Sequence, residues 1–258
     1  MEHASESTIK GTGVVAGVAY AEAVWVRPRP ALPTEGSIDP EQASDSEYDR
    51  FLAAVDTVAG RLEQRAAAAE GQAAEVLTAT AGMVKDRGWH KAVRKNIRTG
   101  RDAEFATVGA TDKFVTMFEA AGGVMAERTT DLKDVRDRVI AELRGEDEPG
   151  LPLVDGEAVL FADDLAPADT ATLDTKHIKA LVTELGGPTS HTAIIARQLD
   201  IPCIVAVGAA LSDIESGTLV FVDGAVGAVT LGADEKTSTK AVAEYRERAA
   251  RVAQWRGP

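Results

Sequence analysis

The stretch GGPTSHTAIIAR at residues 186–197 decides how this sequence is interpreted. It follows an apolar run, residues 178–185, that predicts a strand, and it opens a run that predicts a helix. The two glycines permit a tight turn between strand and helix, and they let a ligand approach the backbone closely. The stretch therefore predicts a helix N-terminus that presents His191 beside a tight turn, which is a site suited to an anion.

The chemistry expected at this site follows from its place at the start of a helix. Thr189 or Ser190 can cap the helix, and the first amides and the positive end of the dipole remain available to an anion. The dipole disfavours the imidazolium form of His191, and a neutral imidazole has a lone pair that can act as a nucleophile. We expect His191 to carry a phosphoryl group. Thr189, Ser190 and the backbone near Gly187 would stabilise its oxygen atoms.

Several other kinds of site do not fit these residues. The turn lacks the Gly-Lys-Ser/Thr ending of a Walker loop, and the chain has no Gly-x-Ser-x-Gly nucleophile elbow. Ser190 and His191 are sequence neighbours whose side chains would diverge by about 100° on a helix, so they make a poor catalytic dyad. The four histidines lack the spacing of zinc ligands. The simplest structural alternative is that His191 is an ordinary surface or capping residue.

Composition excludes further classes of protein. The formal net charge of −13 argues against non-specific nucleic-acid binding, which needs a basic surface, and it suits a basic partner instead. The single cysteine, Cys203, rules out an internal disulfide and lies in an apolar run typical of a buried, inert thiol. We expect no membrane span and no signal peptide, and hence a cytoplasmic protein.

The hydrophobic pattern changes along the chain and indicates two kinds of structure. Residues 11–26 are rich in glycine and β-branched residues, and short strand and helix patterns alternate after residue 150. Between them, residues 35–145 show helical periodicity only, which predicts five helices. The first should begin with Asp39 as its N-cap, Pro40 as its first residue and Gln42 as the capping-box partner. A last amphipathic segment, residues 234–255, predicts one more helix.

Residues 186–208 resemble the phosphohistidine signature of phosphoenolpyruvate-utilising enzymes. Two further stretches narrow the resemblance: residues 11–19 are similar to the start of Enzyme I of the sugar phosphotransferase system, and residues 130–138 to its last helix. A helical block inserted between the first strand and the histidine domain is also the Enzyme I arrangement. The chain as a whole therefore resembles the N-terminal half of Enzyme I.

This resemblance implies a two-subdomain α+β architecture. Residues 1–34 and 146–232 would form an α/β phosphohistidine subdomain, residues 35–145 an inserted all-α subdomain that binds the phosphocarrier HPr, and residues 233–258 a C-terminal linker helix. His191 would be phosphorylated at Nε2 and would exchange phosphate reversibly with HPr during sugar uptake.

The resemblance also implies roles for further residues and for parts outside this chain. The hydroxyl of Thr170 would bond the active histidine, and Met83, Val84 and Asp86 would contact HPr, although these four also suit ordinary helix and core positions. No cofactor is expected in this chain. Phosphoenolpyruvate and Mg²⁺ would bind only a C-terminal barrel that is missing here, and that barrel would make the full-length enzyme a homodimer.

Two positions depart from the family pattern, and two other functions remain open. Pro188 stands where many members have arginine, which removes a cation near the phosphate, and Thr80 aligns roughly where relatives often have histidine. One alternative is the swivelling domain of a pyruvate phosphate dikinase or phosphoenolpyruvate synthase. The other is a non-catalytic regulatory module that uses the motif only as an element of the fold.

Overall fold

The computed structural model describes residues 5–152, 154, 156–165, 167–170 and 173–256. The chain forms two compact units: Arg27–Gly150 is helical, and the segments before and after it together form a unit with a mixed sheet. The predicted fold class, an α/β unit with an inserted all-α unit, is confirmed.

Five helices build the helical unit: α1 (Pro40–Ala68), α2 (Gly71–Val84), α3 (Arg87–Arg98), α4 (Ala103–Ala121) and α5 (Gly123–Leu143). Apolar side chains spaced three or four residues apart on α1 and α3 form the centre of its core. Completely or almost completely buried are Phe51, Val55, Val58, Leu62, Trp89, Val93 and Ile97.

The first helix begins where the sequence predicts. The side chain of Asp39 accepts a hydrogen bond from the amide of Glu41 at 3.0 Å, and Pro40 is the first helical residue. Proline fits this position because the first amides of a helix have no partner within it, and the fixed φ of the ring is already helical.

The helical unit extends beyond the expected residues 35–145 at both ends. Arg27 and Gly150 pair through two backbone hydrogen bonds of 3.0 and 3.1 Å, which tie together the segments leading into and out of the unit. The first segment is held by Arg29, whose guanidinium lies 2.7 Å from Asp134 of α5. These contacts join segments far apart in sequence, so periodicity alone could not place the boundary.

The segment that leads out of the helical unit is held by a buried ion-pair cluster. Glu148 accepts two hydrogen bonds from Arg65 of α1, at 3.1 and 2.7 Å, and also pairs with Arg138 of α5. Burial by itself would lower the pKa of Arg138, but the carboxylates of Asp134 and Glu148 outweigh this effect and raise it. Arg138 therefore keeps its charge despite burial, and removing one of these carboxylates would leave that buried charge without its counterpart.

Glu47 of α1 contributes a pH-dependent part of the stability of the helical unit. Its carboxylate accepts hydrogen bonds from Arg50 at 3.1 Å and from the amide of Ala103, the first residue of α4, at 2.7 Å. Burial alone would raise the pKa of Glu47, but these hydrogen bonds outweigh it and hold the pKa below its ordinary value of 4.5. The resulting stability is therefore present above the unfolded-state pKa and is lost as the pH falls through the folded-state pKa.

We expect Glu47→Gln to lower the free energy of unfolding at pH 7 by about 1 kcal/mol, because the charge-assisted bond to Arg50 is lost. The difference from the wild type should begin to shrink as the pH falls below the unfolded-state pKa of about 4.5, and it should continue to shrink as the folded-state carboxyl becomes protonated at lower pH. Urea unfolding between pH 7 and pH 3 measures both effects, with Glu119→Gln, an exposed glutamate of α4, as the control. A difference that stays constant down to pH 3 would contradict this account.

Eight strands form the sheet of the other unit. In chain order they are β1 (Ser7–Lys10), β2 (Thr12–Val15), β3 (Val18–Trp25), β4 (Ala158–Ala162), β5 (Ile178–Thr183), β6 (Cys203–Val205), β7 (Leu219–Asp223) and β8 (Ala228–Leu231). Their order across the sheet is β1-β8-β7-β3-β4-β5-β6-β2, with β3 to β6 parallel and the others antiparallel to their neighbours. Buried apolar side chains cover both faces of the sheet.

The two end strands of this sheet are consecutive in the chain. Only Gly11 separates β1 from β2, so the sheet must curve until its two edges meet. At the junction, the amide of Gly11 donates to the carbonyl of Gly227 at 2.8 Å. Side chains are excluded here: a Cβ on Gly13 would overlap the carbonyl oxygen of Gly224. The glycine-rich opening of the chain is thus the place where the sheet closes.

Three α-helices flank the sheet among the described residues: α6 (Pro167–Thr170), α7 (His191–Leu199) and α8 (Glu235–Arg256). Helix α7 packs against β2 and β6. Helix α8 does not stand apart as a separate linker, because it packs on β3 and buries Val242, and its Arg246 pairs with Glu157 at 2.8 Å. Across residues 5–256, gaps excepted, no helix is long and apolar enough to cross a membrane.

Candidate active site

The strand–turn–helix segment around His191 has the predicted geometry. Strand β5 ends at Thr183, and the turn that follows contains Gly186 with φ +95°, a conformation that favours glycine. Helix α7 then begins with His191 as its first residue. The imidazole is exposed, so a phosphoryl donor or a phosphoryl acceptor could reach it.

Ser190 is the N-cap of α7. Its hydroxyl accepts a hydrogen bond from the amide of Ala193 at 3.3 Å and lies 2.7 Å from the carbonyl oxygen of Gly187, to which it donates. The hydroxyl of Ser190 is thereby engaged in holding the turn and the helix together. Thr189 and Pro188 precede the cap and are exposed.

The next two amides are oriented for an anion. The amides of His191 and Thr192 occupy the first two helical positions, which have no acceptor within a helix. Neither amide has an acceptor elsewhere among the residues that the structure describes. Two amide donors and the positive end of the dipole of α7 are thus directed towards the space next to the imidazole.

Thr170 completes the site from a distant part of the sequence. It is the last residue of α6, and its hydroxyl oxygen lies 3.2 Å from Nε2 of His191. When Nε2 is unprotonated, the hydroxyl can donate to its lone pair and so orient the ring. The structure therefore brings Thr170 together with His191, Ser190 and Gly187.

A second contact between the same two segments was missed in the sequence. The hydroxyl of Thr192, which is completely buried, lies 3.1 Å from Oδ1 of Asp164, in the segment between β4 and α6. The same carboxylate oxygen accepts from the amide of Leu165 at 3.0 Å. The available signals were weak: a threonine next to the histidine and two aspartates directly after a strand.

The three residues expected to bind a partner differ in how far their side chains are exposed. Met83 is half-buried against the helical core, and Asp86 is exposed but uses its carboxylate to cap α3, accepting from the amide of Trp89 at 2.8 Å. Val84 is completely buried in the core of the helical unit, so we correct its expected role: its side chain cannot reach a partner. Thr80 bonds its own helix, donating to the carbonyl of Val76 at 2.9 Å.

Other candidate chemistry does not converge on the site. Burial raises the pKa of the Cys203 thiol to about 12 although Arg197 lowers it slightly, so this cysteine is the inert core residue that the sequence predicted. Within the described ranges, no group of three or more His, Cys, Asp or Glu side chains could hold a metal ion.

Two family models together match most of the chain. Residues 10–128 match the family described as PEP-utilising enzyme, N-terminal, and residues 154–227 match PEP-utilising enzyme, mobile domain, where PEP stands for phosphoenolpyruvate. The chain is 40% identical over 253 residues to the phosphoenolpyruvate-protein phosphotransferase of Streptomyces coelicolor, covering 98% of this chain and 45% of that protein. The corresponding Bacillus subtilis protein is 34% identical over 243 residues, covering 93% and 42%.

Among solved structures, the chain is similar to an NMR solution structure of Enzyme I (nEIt), with a TM-score of 0.74 and 29% identity. That match covers 95% of this chain and 99% of the other. The chain spans less than half the length of the curated relatives it matches. It belongs to the family of phosphoenolpyruvate-utilising enzymes, combining the family's N-terminal and mobile domains in the fold of the Enzyme I N-terminal region.

Proposed function

We propose that this chain is the phosphoryl-transfer region of a phosphoenolpyruvate-protein phosphotransferase and carries phosphate on Nε2 of His191. One observation carries the proposal: an exposed imidazole is the first residue of a helix, with its Nε2 within 3.2 Å of the Thr170 hydroxyl. A nucleophilic nitrogen and a set of anion-binding donors are thus found in one place.

The transfer is an in-line displacement between two imidazoles. Nε2 of His191 attacks the phosphorus of a phosphohistidine on the partner; the new N–P bond forms as the old one breaks, and the electron pair of the old bond returns to the partner's ring. The Thr170 hydroxyl can turn from Nε2 to a phosphoryl oxygen, and the amides of His191 and Thr192 can donate to the other oxygens. Positioning and electrostatic stabilisation account for the catalysis.

The proposed partner is HPr, the phosphocarrier of the sugar phosphotransferase system. The names of the relatives describe transfer to a protein, and the net charge of −13 favours a partner with a basic face. Met83 and Asp86 remain proposed contacts on the helical unit, and Val84 does not. We assign phosphoenolpyruvate, Mg²⁺ and dimer formation to the part of the relatives that this chain does not match.

Two observations favour this function over the swivelling domain of a dikinase. Residues 10–128, which include most of the helical unit, match the family described as PEP-utilising enzyme, N-terminal, and the relatives that align along nearly the whole chain are named protein phosphotransferases. The geometry of the histidine also argues against a module that keeps the motif only as a fold element, because the imidazole is exposed and faces a hydroxyl donor.

The test is incubation of the chain with phosphorylated HPr, followed by separation of the two proteins and phosphorus NMR. We expect one phosphohistidine signal on the chain that is labile in acid and stable in base, and that moves back to unphosphorylated HPr on mixing. Phosphoenolpyruvate with Mg²⁺ replaces phosphorylated HPr in the control and should label nothing. Absence of phosphate on the chain, or an acid-stable phosphoester, would contradict the proposal.

A further inference from the structure

We propose that Asp164 and Thr192 are positioning residues for phosphoryl transfer, because their hydrogen bond holds the Thr170 hydroxyl against Nε2 of His191. This inference rests on the proposed function. Neither side chain touches the phosphoryl group in this account, although the backbone amide of Thr192 can donate to it; both side chains act through the placement of Thr170.

The contact between Asp164 and Thr192 has a defined geometry. The hydroxyl of Thr192 donates to Oδ1 of Asp164 at 3.1 Å, and its oxygen lies 3.4 Å from the amide of Leu165 as an acceptor. Thr192 is completely buried and Leu165 nearly so. A buried hydroxyl that both donates and accepts has one preferred orientation, so the contact fixes the segment after β4 relative to α7.

The contact between Asp164 and Thr192 lies next to the contact between Thr170 and the active histidine. Thr192 and His191 are neighbours in the first turn of α7, where their side chains diverge by about 100°, so Thr192 points inward while His191 points outward. Asp164 bonds Thr192, and Thr170, six residues later in the sequence, lies within hydrogen-bond distance of His191 in the same turn. Two hydrogen bonds thus tie one short segment to one helical turn.

Helix α6 needs such support. It has only four residues, whereas isolated helices shorter than about 12 residues are marginal in water, so its own hydrogen bonds cannot define where Thr170 lies. The bond of Asp164 to Thr192 holds the beginning of this segment on the same helical turn that Thr170 meets. Loss of this bond should let the Thr170 hydroxyl spend less time within reach of Nε2, which would weaken its orienting effect on the imidazole.

Paired variants test the contact in the chain as it stands. Thr192→Val keeps the shape and removes the hydroxyl, and Asp164→Ala removes the acceptor by truncating an exposed residue. Each should slow phosphate uptake from phosphorylated HPr about tenfold, the factor expected for losing one hydrogen bond. Thr192→Ser and Asp164→Asn keep a donor and an acceptor, respectively, and should stay within about threefold of the wild type.

A double-mutant cycle with Thr170→Val separates positioning from a merely structural role. If Thr192 acts through Thr170, adding Thr192→Val to Thr170→Val should slow uptake by less than about twofold. The nitrogen NMR shift of Nε2 of His191 should change in the same direction in Thr192→Val and in Thr170→Val, since both remove the donor.

The outcomes distinguish the inference from the proposed function. Additive effects in the double variant, or an unchanged Nε2 shift in Thr192→Val and Asp164→Ala, would overturn the positioning role. A wild-type chain that takes up no phosphate would overturn the proposed function instead, while the Nε2 shift would still report on the contact.

Discussion

His191→Ala should abolish phosphate uptake from phosphorylated HPr, by at least about a thousandfold, because the variant lacks the nitrogen that forms the N–P bond. The nearby hydroxyls do not replace it: Ser190 is engaged in capping α7, and a phosphoester on Thr170 would be acid-stable. The Cys203 thiol is completely buried and its pKa is raised to about 12, so it does not serve as a substitute nucleophile. The uptake rate by phosphorus NMR or gel-shift assay measures the effect.

The same variant should fold normally. His191 is exposed, and alanine is a good helix former at the start of α7, so the melting temperature should change by less than about 3 °C. His177→Ala is the matched control, since His177 is a partly exposed histidine of the same unit whose Nδ1 lies 3.1 Å from the carbonyl of Gly156. Phosphate uptake by His191→Ala, or its loss in His177→Ala, would contradict the assignment of the nucleophile.

Gly224→Ala should destabilise the α/β unit by about 3 kcal/mol or more, at the upper end of what overpacking costs. Gly224 lies in the turn between β7 and β8, where a Cβ would overlap the carbonyl oxygen of Val15 in β2. Relieving this overlap would require the backbone to move, because the Cβ meets a backbone oxygen and not the end of a flexible side chain. The amide of Gly224 also donates to Gly17 at 2.8 Å, which limits how far the turn can shift.

Urea unfolding monitored by circular dichroism tests this, with Gly156→Ala as the control from the same unit. A Cβ on Gly156 meets no atom within 4 Å, so this variant should lie within about 0.5 kcal/mol of the wild type. Equal stability of Gly224→Ala and Gly156→Ala would show that the closure of the sheet tolerates a side chain at the junction.

Local patterns in the sequence were sufficient for much of the helical unit and for the centre of the site. Apolar residues four apart, such as Trp89, Val93 and Ile97, lie on one face of a helix and are all completely buried. The start of α1 at Pro40 followed from an N-cap and a proline, whose preferences are local. His191 at the first turn of α7 followed in the same way from two glycines and a cap.

Other features escaped prediction because they depend on residues far apart in the chain. Strand β1 has four residues, only one of them partly buried, so its pattern is too weak to detect; it exists because β8 pairs with it. The resemblance implied the same partner-binding role for Val84 as for Met83, its neighbour on α2. Only the packing of the five helices decides that Val84 faces the core.

The sequence by itself determined where a nucleophilic histidine meets the positive end of a helix, because turn, cap and helix are set by neighbouring residues. The tertiary structure alone decided which groups surround that histidine. Thr170 reaches Nε2 and Asp164 reaches Thr192 only because parallel strands β4 and β5 end side by side, bringing segments more than twenty residues apart to one edge of the sheet. Backbone pairing between distant strands creates these distances, and no local pattern encodes them.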